Sequence, residues 1–331
     1  MKDKLILHLL FTAKIQVRNM ENVSFYRKKT ITIFTATFNR SKYLSKLYDS
    51  LCRQTFPSDY FEWLIVDDGS SDETEVLVNS WIKENKICIY YQQQKHGGKH
   101  RAVNKGLDLA KGELFFIVDS DDFLPEKSLE IAMKYYLSVK EDSDIIGVVG
   151  LMATPQGNII GGKTFPNILE SNLIERKNKY GITADMAKVI KTEKFREFYF
   201  PDIPGENFVA ESIVWNRMAV KYKFRYFNEI IYIAEYLEGG LSNNSIRNRR
   251  KNPIYATTLY KELVKNPHSN FKTKMKSAIN YWRFALCNKK IIIKDTPLFI
   301  TPVYLFTLPI GLLFNIKDSI YNNIDVKKLN K

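Results

Sequence analysis

Cysteine is scarce in this chain: among 331 residues there are three, Cys52, Cys88 and Cys287. Each sits in an apolar or helical context and none shows paired spacing. That argues against a disulfide framework and against a zinc site, and for a reducing compartment. The formal charge of +14 comes without any recurrent nucleic-acid motif. Nucleic acid is therefore not the expected partner, and an anionic substrate or an anionic membrane surface is left to answer the charge. Much of the excess falls late, in Arg247, Arg249, Arg250, Lys251, Lys327, Lys328 and Lys331. An unbroken membrane span is missing as well. Thr296–Ile316 carries no charge and is nearly long enough to cross a bilayer, but Pro297, Pro302 and Pro309 interrupt it. Proline at those intervals breaks a regular helix. A kinked in-plane or re-entrant membrane segment and a hairpin packed on the body both remain open. At the other end, Lys2, Lys4 and the run Leu5–Phe11 mimic a weak signal peptide without a small-residue cleavage site. Residues 1–28 are read as an extension, with Met20 as a second candidate start.

What the chain does have is a core, since 45% of its residues are hydrophobic, and one dense acidic cluster. Val118-Asp119-Ser120-Asp121-Asp122 follows the apolar, β-rich run Leu114–Val118. Three acids at the end of a buried strand cannot all stay ionised side by side without a compensating cation. Carboxylate oxygens suit a hard divalent ion, Mg2+ or Mn2+, with coordination positions left for a diphosphate. The competing reading is a solvated acidic turn that caps the next helix, beginning near Pro125 and running to Leu137.

Strands alternate with helices around this cluster. Ile31–Thr35 reads as a strand, followed by Ser41 at a helix N-cap and an apolar face of Leu44, Leu47, Tyr48 and Leu51. Trp63–Val66 is the next strand, and the helix after it turns Leu77, Val78, Trp81 and Ile82 inward. Ile87–Tyr91 precedes a helix carrying Val103, Gly106, Leu107 and Ala110, stopped at Gly112. A helix with Leu129, Ala132, Met133 and Tyr136 leads to a strand over Ile145–Leu151. This alternation predicts an α/β fold, a doubly wound and mainly parallel sheet with helices on both faces. Ligands of such sheets bind outside the carboxyl ends of the strands. There the first strand ends in Thr35-Ala36-Thr37-Phe38-Asn39-Arg40, the second in Asp67-Asp68-Gly69-Ser70-Ser71-Asp72, and the fourth in the acids. Carboxylates at two strand ends on one rim fit a nucleotide site, one accepting from a base or ribose, another holding the metal.

The T-x-x-N-R strand end, the V-D-D-G-S-S-D turn, the segment G-G-K-H-R-A-V-N-K-G at 97–106 and V-D-S-D-D occur in one order at characteristic distances. This constellation resembles the family 2 glycosyltransferases of GT-A fold, over about residues 30 to 240. The resemblance implies transfer of a sugar from a nucleoside-diphosphate sugar, UDP-linked by default, with inversion at the anomeric carbon. The acceptor it implies is a glycan or a lipid-linked glycan of the cell surface. It places Thr37, Phe38, Asn39, Arg40, Asp67, Asp68, Lys99, Arg101, Asp119 and Ser120 in the nucleotide-sugar site. Asp119, Asp121 and Asp122 are the candidate ligands of Mn2+ or Mg2+. Phe38 stands where the family often has tyrosine. The two glycines at 97 and 98 let backbone approach a ligand closely, and Lys99 and Arg101 bring positive charge to a diphosphate. His100 is a candidate sugar donor or a structural histidine, and Asn104 a donor to the loop.

An inverting transfer also needs a carboxylate to take the acceptor's proton. Pro201 to Arg217 resembles the family's acceptor loop entering a helix, which implies Glu211 as first candidate base and Glu206 as second. Ser212 occupies the place of the usual second acid, and Glu211 has the alternative reading of a helix-terminus charge. Trp215 and Arg217 read as core and ion-pair residues. Tyr236–Ser242 and the arginines beyond it are a candidate loop over the donor. No Q-x-x-R-W motif is present, which favours single addition over processive synthesis. The expected organisation is an extension at 1–28, a nucleotide-sugar half at 29–125, an acceptor half at 126–245 and a helical, membrane-associated region at 246–331. The expected location is the cytoplasmic face of the cell membrane, peripheral or monotopic. Two other classes stay in view: a nucleotidyltransferase, which would carry a glycine-rich phosphate loop where Ala36-Thr37-Phe38-Asn39 stands, and a non-catalytic sugar- or membrane-binding module, which the missing acid at Ser212 would suit.

Overall fold

The computed structural model describes residues 29–161, 168–235, 244–288, 290–291 and 302–329. Tyr236–Ser242, Pro297 and residues 1–28, all of which figure in the sequence reading, lie outside them. The β-branched run at the start forms β1 (Ile31–Thr37), with every residue but Ala36 buried. α1 (Ser41–Cys52) buries the predicted face, Leu44, Leu47, Tyr48 and Leu51. β2 (Phe61–Asp67) is buried throughout. α2 (Thr74–Glu84) buries Val78 and Trp81, but Ile82, expected inward, is 37% exposed. It follows Trp81 by one residue, about 100° around the helix, and so leaves the packed stripe. β3 (Ile89–Gln93), α3 (Lys99–Leu109) and β4 (Leu114–Ile117) complete the first half. α4 spans Ser128–Leu137. It starts later than the expected Pro125 because Ser128 N–H closes a turn onto the Pro125 carbonyl first, at 3.0 Å.

The second half adds β5 (Ile145–Ala153), β6 (Leu169–Ser171), α5 (Leu173–Tyr180), β7 (Ala187–Lys191), the single turn α6 (Thr192–Phe195), α7 (Ser212–Lys221) and β8 (Lys223–Ile233). The strands join one sheet in the order β3-β2-β1-β4-β7-β5-β8-β6. β1 is parallel to β2 and β4, and β2 to β3. β7 then enters antiparallel to both β4 and β5, while β8 runs parallel to β5 and antiparallel to β6. The sheet is thus mainly parallel, as expected, with β7 as an antiparallel wedge at its centre.

Strand alternation divides the core in two. Phe34, Leu64, Phe115 and Ile190 face α3 and α7, joined by Val103, Leu107, Val214 and Trp215. Ile33, Trp63, Ile65, Phe116 and Val148 face the other way onto Leu44, Val78 and Leu129. Each fully buried aliphatic or aromatic side chain contributes about 1.5–3 kcal/mol, so both faces are needed to hold the rim in place. α3 lies so close to β1 that a Cβ on Gly106 would sit 2.2 Å from the Phe34 ring.

The C-terminal region is helical: α8 (Ser245–Lys251), α9 (Pro253–Lys265), α10 (Phe271–Ala285) and α11 (Pro302–Leu329). Tyr281, Trp282 and Tyr304 centre its own small core. The expected break in the uncharged stretch does not occur at Pro309, which lies inside the continuous α11. Pro302 opens that helix, where a missing N–H is harmless. Pro309 forfeits one hydrogen bond on the exposed side, while contacts on the inner side hold the turns around it.

Candidate active site

The carboxyl ends of β1, β2 and β4 form a rim on which most of the singled-out residues gather. The first two turns are sewn together by side chains. Asn39 has a left-handed backbone, φ 53°, and its amide oxygen accepts from Ser71 N–H at 2.8 Å and Asp72 N–H at 3.3 Å. Asp72 in return accepts from Ser41 N–H at 3.0 Å and from Thr74 N–H at 3.1 Å, serving both α1 and α2. Ser41 is therefore the first helical residue rather than the cap, because a carboxylate from the neighbouring turn answers its N–H. Asp67 accepts from Ser70 N–H and from the Tyr91 hydroxyl, each at 2.7 Å. Thr37 is buried with no partner for its hydroxyl among the described residues.

Asp68 organises the next segment. Its carboxylate accepts from Gln94 Nε2 at 2.8 Å, Gly97 N–H at 2.9 Å and Gly98 N–H at 2.7 Å, and lies 2.9 Å from His96 Nδ1. The His96 ring stacks on Phe38 with centroids 4.2 Å apart, presenting a half-exposed aromatic pair on the rim. His96 was not picked out from the sequence; its only signal is adjacency to the glycines. The close approach that those glycines permit is taken by protein: Gly98 has φ +101°, and a Cβ there would lie 2.2 Å from the Asn207 carbonyl oxygen. Arg101 is spent in the same way. It donates to Asp202 at 2.8 Å, Ile203 O at 3.1 Å and Asn207 Oδ1 at 3.2 Å, and also to Gly97 O. It clamps the 202–207 loop instead of facing open space. Asn104 holds Phe200 by both backbone groups, at 2.9 and 2.8 Å. His100 is buried with both ring nitrogens unpartnered among the described residues, and burial followed by the Arg101 charge pushes its pKa down to about 4.

Lys99 is the centre of the site. Its ammonium lies 2.6 Å from Asp119 Oδ1 and 2.8 Å from Glu211 Oε1, joining the acidic strand end to the start of α7. Burial opposes its charge, but Asp119 and Glu211 outweigh burial and hold its pKa above the ordinary lysine value. Burial likewise opposes the Glu211 charge. Lys99, Lys188 and a hydrogen bond from the Trp215 side chain overcome it and keep Glu211 below the usual glutamate range. Lys188, on β7, places its ammonium 5.2 Å from the Trp215 ring centroid and donates to Met186 O at 3.0 Å. Sequence reasoning missed it because β7 itself was not foreseen.

Glu206 is occupied elsewhere. Its two oxygens accept from Ile254 N–H and Tyr255 N–H, both at 2.7 Å, capping the start of α9. Arg217 pairs with Glu262 through two hydrogen bonds of 3.0 and 2.8 Å.

The three acids at the β4 end differ from one another. Asp119 meets Lys99, and its backbone N–H donates to the Tyr232 hydroxyl at 3.0 Å. Asp121 meets Arg40 at 3.3 Å, and burial, then the Asp119 charge, raises its pKa. Asp122 is buried, accepting from the Tyr232 hydroxyl at 2.6 Å and Glu235 N–H at 2.7 Å. Burial and the Asp119 charge push it up to about 8. Ser120, between them, is buried. No cluster of three or more His, Cys, Asp or Glu is gathered at metal-binding distance among the described residues. The pair Asp119 and Asp121 nonetheless fits a hard divalent cation. Both carboxylates are partly exposed, the Asp119 charge raises the proton affinity of Asp121, and a cation would relieve that. Asp122, with both oxygens used inside the fold, fits less well.

The fold is of GT-A type, with an acid pair at its rim. Residues 32–179 match the family described as Glycosyl transferase family 2. It is 26% identical to the glycosyltransferase GlyG of Streptococcus pneumoniae over 225 residues, 64% of this chain and 72% of that protein. It is 27% identical to the poly(ribitol-phosphate) beta-N-acetylglucosaminyltransferase TarS of Staphylococcus aureus over 175 residues. That alignment covers 52% of this chain and only 29% of TarS. A solved TarS fragment in complex with UDP-GlcNAc has the same fold, with TM-score 0.54 and 18% identity, over 89% of this chain and 92% of the fragment. The mannosyltransferase PcManGT of Pyrobaculum calidifontis, solved with GDP-Man and Mn2+, is similar at TM-score 0.54 and 16% identity, covering 96% and 94%.

Proposed function

We propose that the protein transfers a sugar from a UDP-linked donor to a hydroxyl of a cell-surface glycan or polyol-phosphate acceptor, with inversion, on the cytoplasmic side of the membrane. The observation that carries this reading is Lys99 held between Asp119 and Glu211, which puts a cation, a metal-type carboxylate and a base-type carboxylate within one hydrogen-bonded group. Residues 29–125 would serve the donor and 126–245 the acceptor. The named partners of TarS, UDP-GlcNAc and poly(ribitol phosphate), support the donor base and the acceptor class.

In this reading Glu211 takes the proton of the acceptor hydroxyl as its oxygen attacks the anomeric carbon, and the bond from that carbon to the diphosphate breaks on the opposite side. Phe38 and His96 stack on the base, and Thr37 offers its unpaired hydroxyl to the nucleoside. Asp119 and Asp121 would hold Mn2+ or Mg2+, which when bound offsets the charge of the diphosphate. Lys99 turns from the two carboxylates toward the diphosphate oxygens. Glu211 thereby loses the cation that weakens it as a base at the moment a base is needed.

The test is release of nucleoside diphosphate from a panel of nucleotide sugars with Mn2+ and an acceptor. Glu211→Gln should lower turnover by about 10²–10⁴-fold while leaving donor affinity within a few-fold. Full turnover in that variant would remove Glu211 from the role, and no release from any donor would overturn the transferase reading.

A further inference from the structure

We propose that α11 is an in-plane membrane anchor whose outer face rests in the headgroup layer of an anionic bilayer. The helix differs from an ordinary surface helix in leaving an apolar face to solvent. Its inner face packs Val303, Tyr304 and Leu308 on the small core and is bonded to the body by polar groups. Trp282 Nε1 donates to Tyr304 O at 2.8 Å, and Asn315 Nδ2 to Arg283 O at 2.7 Å. Arg283 grips Asp318 at 2.6 and 2.7 Å, and Arg250 donates to Ser319 Oγ at 2.6 Å. Gly311 lets the backbone approach α10 so closely that a Cβ there would lie 2.4 Å from Trp282 Cβ. The outer face is apolar instead: Leu305, Phe306, Ile310, Leu313, Ile316 and Ile320 are all exposed, Phe306 at 78% and Leu313 at 67%. Side chains spaced at three and four residues over about four turns form a continuous stripe, larger than scattered surface apolar residues need to be.

The stretch Pro302–Ile320 is long and apolar enough to cross a membrane by composition. Crossing would tear the buried Asp318 from Arg283 and Arg250 and carry it into hydrocarbon, a cost the in-plane arrangement avoids. Charge decides between lipid and a second copy of the chain. Lys317 is exposed on the same helix, α8 exposes Arg247 and Lys251, and the whole chain carries +14. Two copies meeting on this face would oppose like charge to like charge, whereas anionic lipid complements it. Arg250, expected among the membrane-facing cations, is turned inward onto Asp318 at 3.6 Å.

The experiment is flotation of the full chain with phosphatidylglycerol and phosphatidylcholine vesicles, with size measured alongside. The wild type should float with the anionic vesicles and weakly or not at all with the neutral ones. Phe306→Asp combined with Leu313→Asp should bind about 100-fold more weakly, from the lost apolar burial. Phe306→Gln with Leu313→Gln should weaken binding less while keeping the same melting temperature, which separates surface loss from misfolding. Absence of wild-type binding at low salt would overturn the proposal, as would unchanged binding in both variants. Self-association of the wild type that the variants abolish, without vesicle binding, would assign the face to a second copy and equally overturn it. The readout does not use sugar transfer, so it stands or falls separately from the proposed reaction.

Discussion

The two acidic strand ends of the rim look alike in sequence and behave differently. After β2, Asp67, Asp68 and Asp72 are consumed by N–H and O–H donors: Ser70 and Tyr91, then Gln94, Gly97 and Gly98, then Ser41 and Thr74. After β4, Asp119 and Asp121 meet whole charges, Lys99 and Arg40. A carboxylate satisfied by fixed dipoles is a structural member, because moving it strands several buried donors. One satisfied by a mobile ammonium or guanidinium keeps its lone pairs exchangeable for a metal or a ligand. The second turn therefore keeps exchangeable carboxylates, and Asp122, tied to Tyr232 and Glu235 N–H, belongs with the first kind despite its position.

The sharpest way to break this contrast is to neutralise one acid of each kind. Asp119→Asn should reduce metal-assisted turnover on the order of 10³-fold with no loss of thermal stability, since it removes one of two mutually repelling charges. A melting temperature several degrees lower would place Asp119 among the structural acids. Removal of divalent metal by EDTA should abolish wild-type turnover to the same extent. Asp68→Ala should do the reverse, destabilising the fold by about 3–4 kcal/mol because it leaves Gly97 and Gly98 N–H without an acceptor. Equilibrium urea unfolding measures this, and a loss below about 1 kcal/mol would contradict the assignment.

His100, buried behind the loop that Asp68 organises, gives a pH test. Its folded pKa of about 4 lies below the unfolded value of about 6.5, so the unfolded chain binds the extra proton first. Stability contributed by the neutral ring is complete above pH 6.5 and is lost as pH falls toward 4, by roughly 3 kcal/mol. His100→Gln should flatten that limb; an unchanged pH profile would show that another group carries it. The smallest effect belongs to Tyr232→Phe, which removes the donor to Asp122 and the acceptor for Asp119 N–H. It should cost about 1–2 kcal/mol, and a larger fall in turnover than in stability would show that Tyr232 also orients the acid pair.

Much of this was legible in advance where the information is local. The alternation from Ile31 to Leu151 gave the parallel half of the sheet, and the apolar face of α1 appeared residue for residue. The acids at the β4 end were found because a strand ending in charge is conspicuous. The misses are long-range. Ile82 lies at the edge of a stripe whose width depends on what packs against it. Ser41 looks like a cap until Asp72, from another turn, supplies the acceptor. Glu211 ranked ahead of Glu206 as a candidate base from the sequence, but only α9, which takes both Glu206 oxygens, separates their surroundings. Arg101 and Lys99 are two residues apart on one helical turn, and only the position of the 202–207 loop sends one into a clamp and the other between Asp119 and Glu211.

The sequence by itself determined the class of fold and the rim on which the chemistry would sit, because hydrophobic period and strand-end composition are properties of neighbours along the chain. Tertiary structure alone decided which charges are free to act. It made Glu206 a helix cap and Glu211 an ion-pair partner, brought Lys188 to Trp215 through the unforeseen antiparallel β7, and turned Asn315, Asp318 and Ser319 of α11 inward. A charge's role depends on the donors and cations that surround it in space, and those come from segments tens to hundreds of residues away.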